Sequence, residues 1–465
     1  MEFEMLIDGR MVAGADRLEV INPATGAVFA QCARADAAQL DAAVAAASRA
    51  QRGWAALDPV QRGNCLRRLA DALEQAGPGL ARLLTCEQGK PLATATREVA
   101  GAVHALRFYA GLDLPLQTLH DTPERLVLEQ RVPLGVVAAI TPWNFPLLIT
   151  VSKIAAALCV GNTVVAKPAP TTPLTVARFA ALAAPILPAG VLNVIVDAND
   201  LGARLTGHPD VAKISFTGST ATGARVMGTA AEAIKRITLE LGGNDAAVIL
   251  DDMDVRLAAR KVFDAAMVNA GQVCLAAKRI YAPAGMIDAL CAELAALAEQ
   301  TVVGNGLEQG VMMGPLQNAA QFERVLDLFE DSRRCGTVLS GGPVGGPGYF
   351  MRPAIVRDLP DDARLVREEQ FGPIVPVLAY DDVAGLVERV NATPYGLGGS
   401  VWCADPARGI ALARQIDSGT VWVNTHLGMP LDVPFGGAKQ SGLGRENGIE
   451  GLKDLTQGKI IAVAR

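Results

Sequence analysis

Apolar residues recur at helical spacing over 36–50, 59–75, 80–86 and 94–110, which predicts four helices in the first quarter of the chain. The first is Ala-rich and the second carries an Arg-dotted face. Gly77-Pro78-Gly79 breaks the run between the second and the third. Ahead of them, 1–30 reads as short strands and turns. Behind them, 113–130 is less regular, and 125–132 alternates polar and apolar like an exposed strand. Such an edge needs a partner, and a second subunit would supply one. From Gly135 the period changes. Short apolar runs at 136–140, 163–166, 191–196 and 213–216 predict buried strands. They alternate with helices at 149–159, 174–187 and 201–207, and with one that opens at Ser219. This rhythm predicts a parallel sheet with helices on both faces. A second α/β series follows Cys274, with strands at 279–281, 337–339, 374–378, 400–402 and 420–423. Its helices read at 286–300, 317–333, 382–391 and 406–416. The Gly/Pro-rich patch 341–348 reads as a surface loop, and 458–464 as a final strand.

Composition narrows the function classes. With 465 residues, half of them hydrophobic, the chain has material for two or three domains with large cores. Charged residues make up 19% and the net charge is −6, without a basic stripe. That argues against a nucleic-acid partner. The N-terminus has no positive region ahead of an apolar segment, and every long apolar run is interrupted by Gly, Pro or Lys. No signal peptide, no membrane span and a cytoplasmic location are the expectation. The eight cysteines are scattered without a C-x-x-C pair, and the four histidines form no H-x-x-x-H. A reduced protein with neither disulfides nor a metal site follows.

Candidate chemistry clusters between Leu239 and Ala276. Glu240 ends an apolar, strand-like run and is followed by Gly242 and Gly243, which leave room for close backbone approach to a ligand. Cys274 follows a small, flexible Gly271-Gln272-Val273 turn. A carboxylate and a thiol in one pocket make a working pair: the thiolate attacks a carbonyl carbon, and the carboxylate takes a proton from the thiol or from water. Taken singly, a buried cysteine and a surface glutamate fit as well. No G-x-G-x-x-G follows a strand in the right context. Gly218-Ser219-Thr220-Ala221-Thr222-Gly223 has P-loop glycine spacing, but Ala224-Arg225 stands where a P-loop needs Lys-Ser/Thr. The helix start at Gly218 and Ser219 can hold a pyrophosphate, or Ser219 can simply cap the helix. Asn144 lies in a turn bracketed by Pro142 and Pro146, as an oxyanion donor or as a structural turn residue. Lys167, at a strand end, can bond a ribose hydroxyl or face solvent. The Glu368-Glu369 acids can hold a second ribose or sit on the surface.

In combination these stretches are specific. The ordered set Pro142-Trp143-Asn144-Phe145-Pro146, Phe216-Thr217-Gly218-Ser219-Thr220, Leu239-Glu240-Leu241-Gly242-Gly243 and Gly271-Gln272-Val273-Cys274 resembles the aldehyde dehydrogenase superfamily, NAD(P)-dependent and hydrolytic. The resemblance runs from Ile21-Asn22-Pro23-Ala24-Thr25-Gly26 to Pro434-Phe435-Gly436-Gly437-Ala438-Lys439-Gln440-Ser441-Gly442. It implies an α/β fold: a Rossmann-like parallel-sheet cofactor domain (1–111 and 133–241), an α/β catalytic domain (242–435) and a small β oligomerisation element (112–132 and 446–465). It also implies a small-molecule aldehyde substrate, NAD or NADP as cofactor, no metal, and a homodimer or homotetramer. Carried over by position, Cys274 matches the nucleophile, Glu240 the general base, and Asn144 the oxyanion donor together with the Cys274 N–H. Lys153 and Glu446 match a proton relay. Trp143, Lys167, Gly218, Ser219, Gly242, Glu369 and Phe371 match cofactor contacts.

One departure stands out. NAD-preferring members often carry Glu at the position of Pro170, where it holds both adenine-ribose hydroxyls. Its absence here puts strict NAD preference in doubt. Phe108, Tyr109, Met267, His426, Leu427 and Met429 are expected at the substrate mouth, which favours uncharged aldehydes. A CoA-acylating semialdehyde dehydrogenase usually lacks the base that Glu240 supplies. A catalytically silent relative would tolerate loss of Cys274 or Glu240, and both are present.

Overall fold

A computed structural model describes residues 3–465; the first two residues of the opening strand-and-turn stretch lie outside it. Two sheets carry the molecule. The first has eight strands, and its centre is parallel: Thr163–Lys167, Val136–Ile140, Val211–Thr217 and Arg236–Glu240 lie side by side. All five residues of Val136–Ile140 and of Thr163–Lys167 are buried, because helices cover both faces. The second sheet has seven strands around Asp245–Ile249, Ala277–Pro283, Ile374–Tyr380 and Gly398–Trp402, again parallel. Only Leu241–Asn244 separate the last parallel strand of the first sheet from Asp245–Ile249 of the second.

Local signals set the early helices. Asp36 caps Ala37–Ala56 and Asp58 caps Pro59–Gln75, each in a reciprocal capping box with the glutamine three residues on. Gly77-Pro78-Gly79 acts as a joint: the next helix, Gly77–Gln88, starts at Gly77 with Pro78 in its first turn. The helix expected from 149 begins earlier, as Pro146–Cys159, with Pro at the first turn and Glu98 accepting from the Leu147 and Leu148 N–H groups. The strands Asp245–Ile249 and Ala354–Arg357, which are short, escape the sequence reading, as does the helix Val255–Met267, although that helix buries Ala258, Ala259, Val262, Phe263 and Ala266 at helical spacing. The expected loop at 341–348 contains a two-residue strand, Gly342–Pro343, paired with Met351–Arg352.

The alternating strand Arg125–Pro133 finds its partner within the chain. Thr456–Ala464 pairs with it antiparallel over nine positions, and Gln117–Asp121 closes the other side. This three-stranded sheet leaves Leu116, Leu119, Ile460 and Val463 exposed. No helix among the described residues is long and apolar enough to cross a membrane. All eight cysteines are free thiols.

Candidate active site

Glu240 ends its strand between Thr217 on one side and Gly442 on the other, where the chain leaves the first sheet. The residue is 4% exposed, and neither carboxylate oxygen has a hydrogen-bond partner. Burial and then the neighbouring Glu446 push its pKa well above the usual carboxylate range, against the pull of Lys153 and Arg445. An anion left unpaired in such a place is costly, so the protonated carboxyl is favoured there. The glycines that follow make room for protein, where the sequence suggests room for a ligand. A Cβ on Gly243 would lie 2.6 Å from the Cys274 carbonyl oxygen, and one on Gly242 would overlap Glu369.

Cys274 is half-buried, one short turn before the strand Ala277–Pro283. Burial drives its thiol up to about 12; Lys278 opposes this, while Glu369, Asp245 and Glu240 add to it. The turn ahead of it is rigid. Asn269, Ala270 and Gly271 have φ of 52°, 56° and 71°. For the two that are not glycine the left-handed region costs about 1–2 kcal/mol each. Gln272 holds the loop from inside: its Oε1 accepts from the Gln317 N–H at 2.9 Å, and its Nε2 donates to Asn269 O at 2.8 Å.

Asn144 is buried beside this loop and donates from Nδ2 to the Gln272 carbonyl at 2.9 Å, while its Oδ1 has no partner. Its own carbonyl accepts from Lys90 Nζ at 2.8 Å and from Asn269 Nδ2 at 3.1 Å. Lys90 is itself buried, 2.5 Å from Glu98 Oε2 and 3.9 Å from the centre of the Phe145 ring. Asn144 is thus fixed from both ends.

Lys153 donates to Ser215 Oγ at 2.9 Å and pairs with Glu446. These groups line a small chamber with Thr238, Arg445 and Asn447. Tyr109, expected at the substrate mouth, lies in this chamber, its hydroxyl 3.3 Å from Asn447 Oδ1. Met267 is in the core of the second sheet, and Phe108 packs partly buried against the first core. His426 is turned inward, its Nε2 donating to Leu275 O at 2.6 Å, with the ring 4.9 Å from that of Trp422. Tyr109 and Met267 are therefore buried and do not line an open mouth.

A cleft of about 610 Å³ opens beyond the carboxyl ends of the first-sheet strands, lined by Trp143, Lys167, Pro170, Gly218, Ser219 and Arg225 among others. Ser219 is the N-cap of Thr220–Ala231, accepting from the Thr222 N–H at 3.3 Å. Capping takes up the Thr222 N–H and leaves those of Thr220 and Ala221 for a pyrophosphate. Thr171 and Thr217 also line the cleft, and their buried hydroxyls have no partner. These features fit a dinucleotide. Lys167 is neither solvated nor free: its ammonium is 2.6 Å from Asp197, and both side chains are buried. Arg225 lines the same cleft without an ion pair among the described residues.

Glu369 lies away from that cleft. Its Oε1 accepts from the Gly243 N–H at 3.0 Å and lies 3.6 Å from Lys278 Nζ. Phe371 meets Trp143 edge-on at 5.3 Å, with a positive φ of 48°. Lys90, Glu98, Gln272, Lys278 and Arg225 escape the sequence reading. The bonds that give the first four their roles join residues far apart in sequence or fold back within a turn. Arg225 had a signal, since it falls in the Gly218–Val226 stretch that displaces a P-loop.

Residues 11–461 match the family model described as "Aldehyde dehydrogenase family". A phenylacetaldehyde dehydrogenase of Pseudomonas fluorescens is 41% identical, with 99% of this chain and 96% of that protein covered. A betaine aldehyde dehydrogenase of Rhizobium leguminosarum bv. trifolii is 37% identical, over 98% and 96%. The NAD+ complex of an aldehyde dehydrogenase from Bacillus cereus is 37% identical, covers 100% of this chain with 97% of its own, and superposes with a TM-score of 0.97.

Proposed function

The chain belongs to the aldehyde dehydrogenase family, and within its active site we propose that Cys274 is the nucleophile and Glu240 the general base. The protein is an oxidoreductase that converts an aldehyde to the carboxylic acid with NAD(P). The observation that carries the residue assignment is the buried, unpartnered Glu240 carboxyl, one short connection from a glycine packed on the Cys274 carbonyl.

The chemistry then runs as follows. The Cys274 thiol gives up its proton to solvent, and the thiolate sulfur adds to the aldehyde carbon. The new oxyanion lies between the second N–H of Asn144 and the backbone N–H of Cys274. NAD(P), when bound, supplies the two-electron oxidant that leaves a thioester on Cys274. Glu240 takes a proton from the water that cleaves this thioester, and Lys153 with Glu446 passes that proton on through the chamber beside it. Trp143, Gly218 and Ser219 would hold the cofactor. Glu369 and Phe371 would be further cofactor contacts, and Gly242 leaves the space that the Glu369 carboxylate occupies. Substitution of Cys274 by Ala tests the reading: turnover is abolished and NADH binding, followed by fluorescence titration, is nearly intact. Activity within tenfold of wild type would sink it.

The finer assignments belong to the same reading. Cofactor, catalytic and oligomerisation units follow the boundaries read from the sequence. The exposed outer edge of Gln117–Asp121, open to a strand from a second copy, supports a homodimer or homotetramer. The relative that acts on phenylacetaldehyde supports an uncharged aromatic aldehyde as substrate, and a panel of aldehydes followed by NAD(P)H absorbance decides between that class and a cationic one.

A further inference from the structure

We infer that Lys278 is a positioning residue for the nucleophile loop: its buried ammonium orients the Val273–Cys274 peptide and supplies the positive charge that sustains the Cys274 thiolate. The inference rests on Cys274 being the nucleophile.

The geometry begins with a register shift. Asp245 pairs with Ala277, but Ala246 pairs with Arg279, so Lys278 is the extra residue of a bulge. A bulge re-aims a side chain out of the regular alternation. Here it turns the lysine back onto the loop that precedes its own strand. Lys278 is 1% exposed. Its Nζ donates to Val273 O at 2.8 Å and to Cys274 O at 2.6 Å, and lies 3.6 Å from Glu369 Oε1. The two carbonyls take two of the ammonium's three donors, and the Glu369 carboxylate lies in ion-pair range.

Two consequences follow. The carbonyl of Val273 and the N–H of Cys274 belong to one planar trans peptide, so they point in opposite directions. Fixing the carbonyl on Lys278 aims the Cys274 N–H the other way and polarises it as a donor. The second consequence is electrostatic. The titratable groups that face the thiol are Glu240 at the end of its strand, Asp245 on the neighbouring strand, Glu369 on the adjoining loop, and Lys278. Three carboxyls and burial all disfavour a thiolate; Lys278 is the one cation among these groups. His426, which pins the next carbonyl at Leu275, is held neutral by burial and by the same ammonium.

The experiment compares wild type, Lys278→Gln and Lys278→Arg. Gln keeps N–H donors and loses the charge; Arg keeps both. Alkylation of Cys274 by iodoacetamide is followed by mass spectrometry against pH. In Lys278→Gln the inflection should move upward and the rate at pH 8 should fall at least tenfold, the equivalent of one pKa unit. Lys278→Arg should restore the wild-type profile, and NADH affinity should change less than threefold in both. A wild-type profile in Lys278→Gln overturns the inference. So does an impaired rate in which the inflection stays put and Arg gives no rescue, since that is the signature of lost packing alone. If Lys278→Gln does not fold, Lys278→Arg decides by itself: an upward shift in spite of the retained charge overturns the inference. A different failure marks the underlying reading. If complete alkylation of wild-type Cys274 leaves turnover intact, Cys274 is not the nucleophile, whatever Lys278 does.

Discussion

Asn144 Nδ2 donates to the backbone carbonyl of Gln272 at 2.9 Å. The bond ties the turn after the strand Val136–Ile140 to the loop that carries Cys274. The two proposed oxyanion donors are therefore fixed relative to each other before any substrate arrives, which is what makes such donors effective. One amide N–H holds this position and the other is left for the developing charge.

Asn144→Ala should lower kcat by roughly a hundredfold or more, the usual loss for one oxyanion donor. The loss should appear equally in kcat and in kcat/KM, because the interaction forms with the charge. Steady-state kinetics reads this directly. An unchanged kcat with a raised KM would instead make Asn144 a ground-state binding group.

Glu240→Gln should separate the two halves of the reaction. Thioester formation needs no water-activating base, but thioester cleavage does. Stopped-flow absorbance at micromolar enzyme should record a rapid burst of NAD(P)H followed by slow turnover. The wild-type deacylation rate should rise with pH through the raised Glu240 pKa, because the base works as the carboxylate. The variant should lose that limb. A slow first turnover without a burst would mean that Glu240 mainly activates Cys274.

Periodicity made the first sheet and its helices legible because those strands are buried on both faces and carry few polar residues. Asp245–Ile249 was harder, since it opens on a buried aspartate that binds the Gly398 N–H instead of marking a loop. Short motifs brought Cys274, Glu240 and Asn144 forward as types of residue. They said little about the shell that holds them. Lys90 sits between a glycine and a proline at a helix boundary, where nothing in the local pattern points to a carbonyl 54 residues away. Lys278 depends on a bulge, and a Lys-Arg pair in a strand does not by itself say which residue is the extra one. The mouth residues failed for a related reason: proximity in sequence placed Tyr109 and Met267 near the site, but helix rotation turned both inward.

His426 gives the fold an acid-sensitive point. Burial holds its pKa down at about 4 against an ordinary 6.5, so the folded state keeps it neutral. Between those values the unfolded chain binds a proton that the native state does not. Stability is therefore complete above the unfolded pKa and is lost as pH falls toward the folded one. Between pH 7 and pH 5 the contribution amounts to about 2 kcal/mol. His426→Gln should reduce the acid-induced fall in Tm over that interval, measured by calorimetry at both pH values. An identical fall in both proteins would place the sensitivity elsewhere.

Cofactor choice turns on charge in the cleft. Pro170 offers no acceptor to the ribose hydroxyls and no charge to repel a 2′-phosphate. Lys167 is the obvious phosphate partner, but its ammonium is 2.6 Å from the buried Asp197, and the pair is close to neutral. It can still donate to a 2′-hydroxyl, which keeps NAD usable. Among the described residues, the cation left without an ion pair on the cleft wall is Arg225, whose planar fork suits a phosphate. NAD and NADP should therefore differ in kcat/KM by less than about a hundredfold, under ~3 kcal/mol of discrimination. Pro170→Glu should move the ratio toward NAD by adding both an acceptor and a repelling charge. Arg225→Ala should lower kcat/KM for NADP about tenfold or more and leave NAD within about threefold, because a phosphate loses a partner and a hydroxyl does not. Steady-state kinetics with both cofactors on the three proteins decides the matter. Wild-type rejection of NADP by more than about a thousandfold, over ~4 kcal/mol, would show that another group excludes the 2′-phosphate and that neither Pro170 nor Arg225 sets the preference.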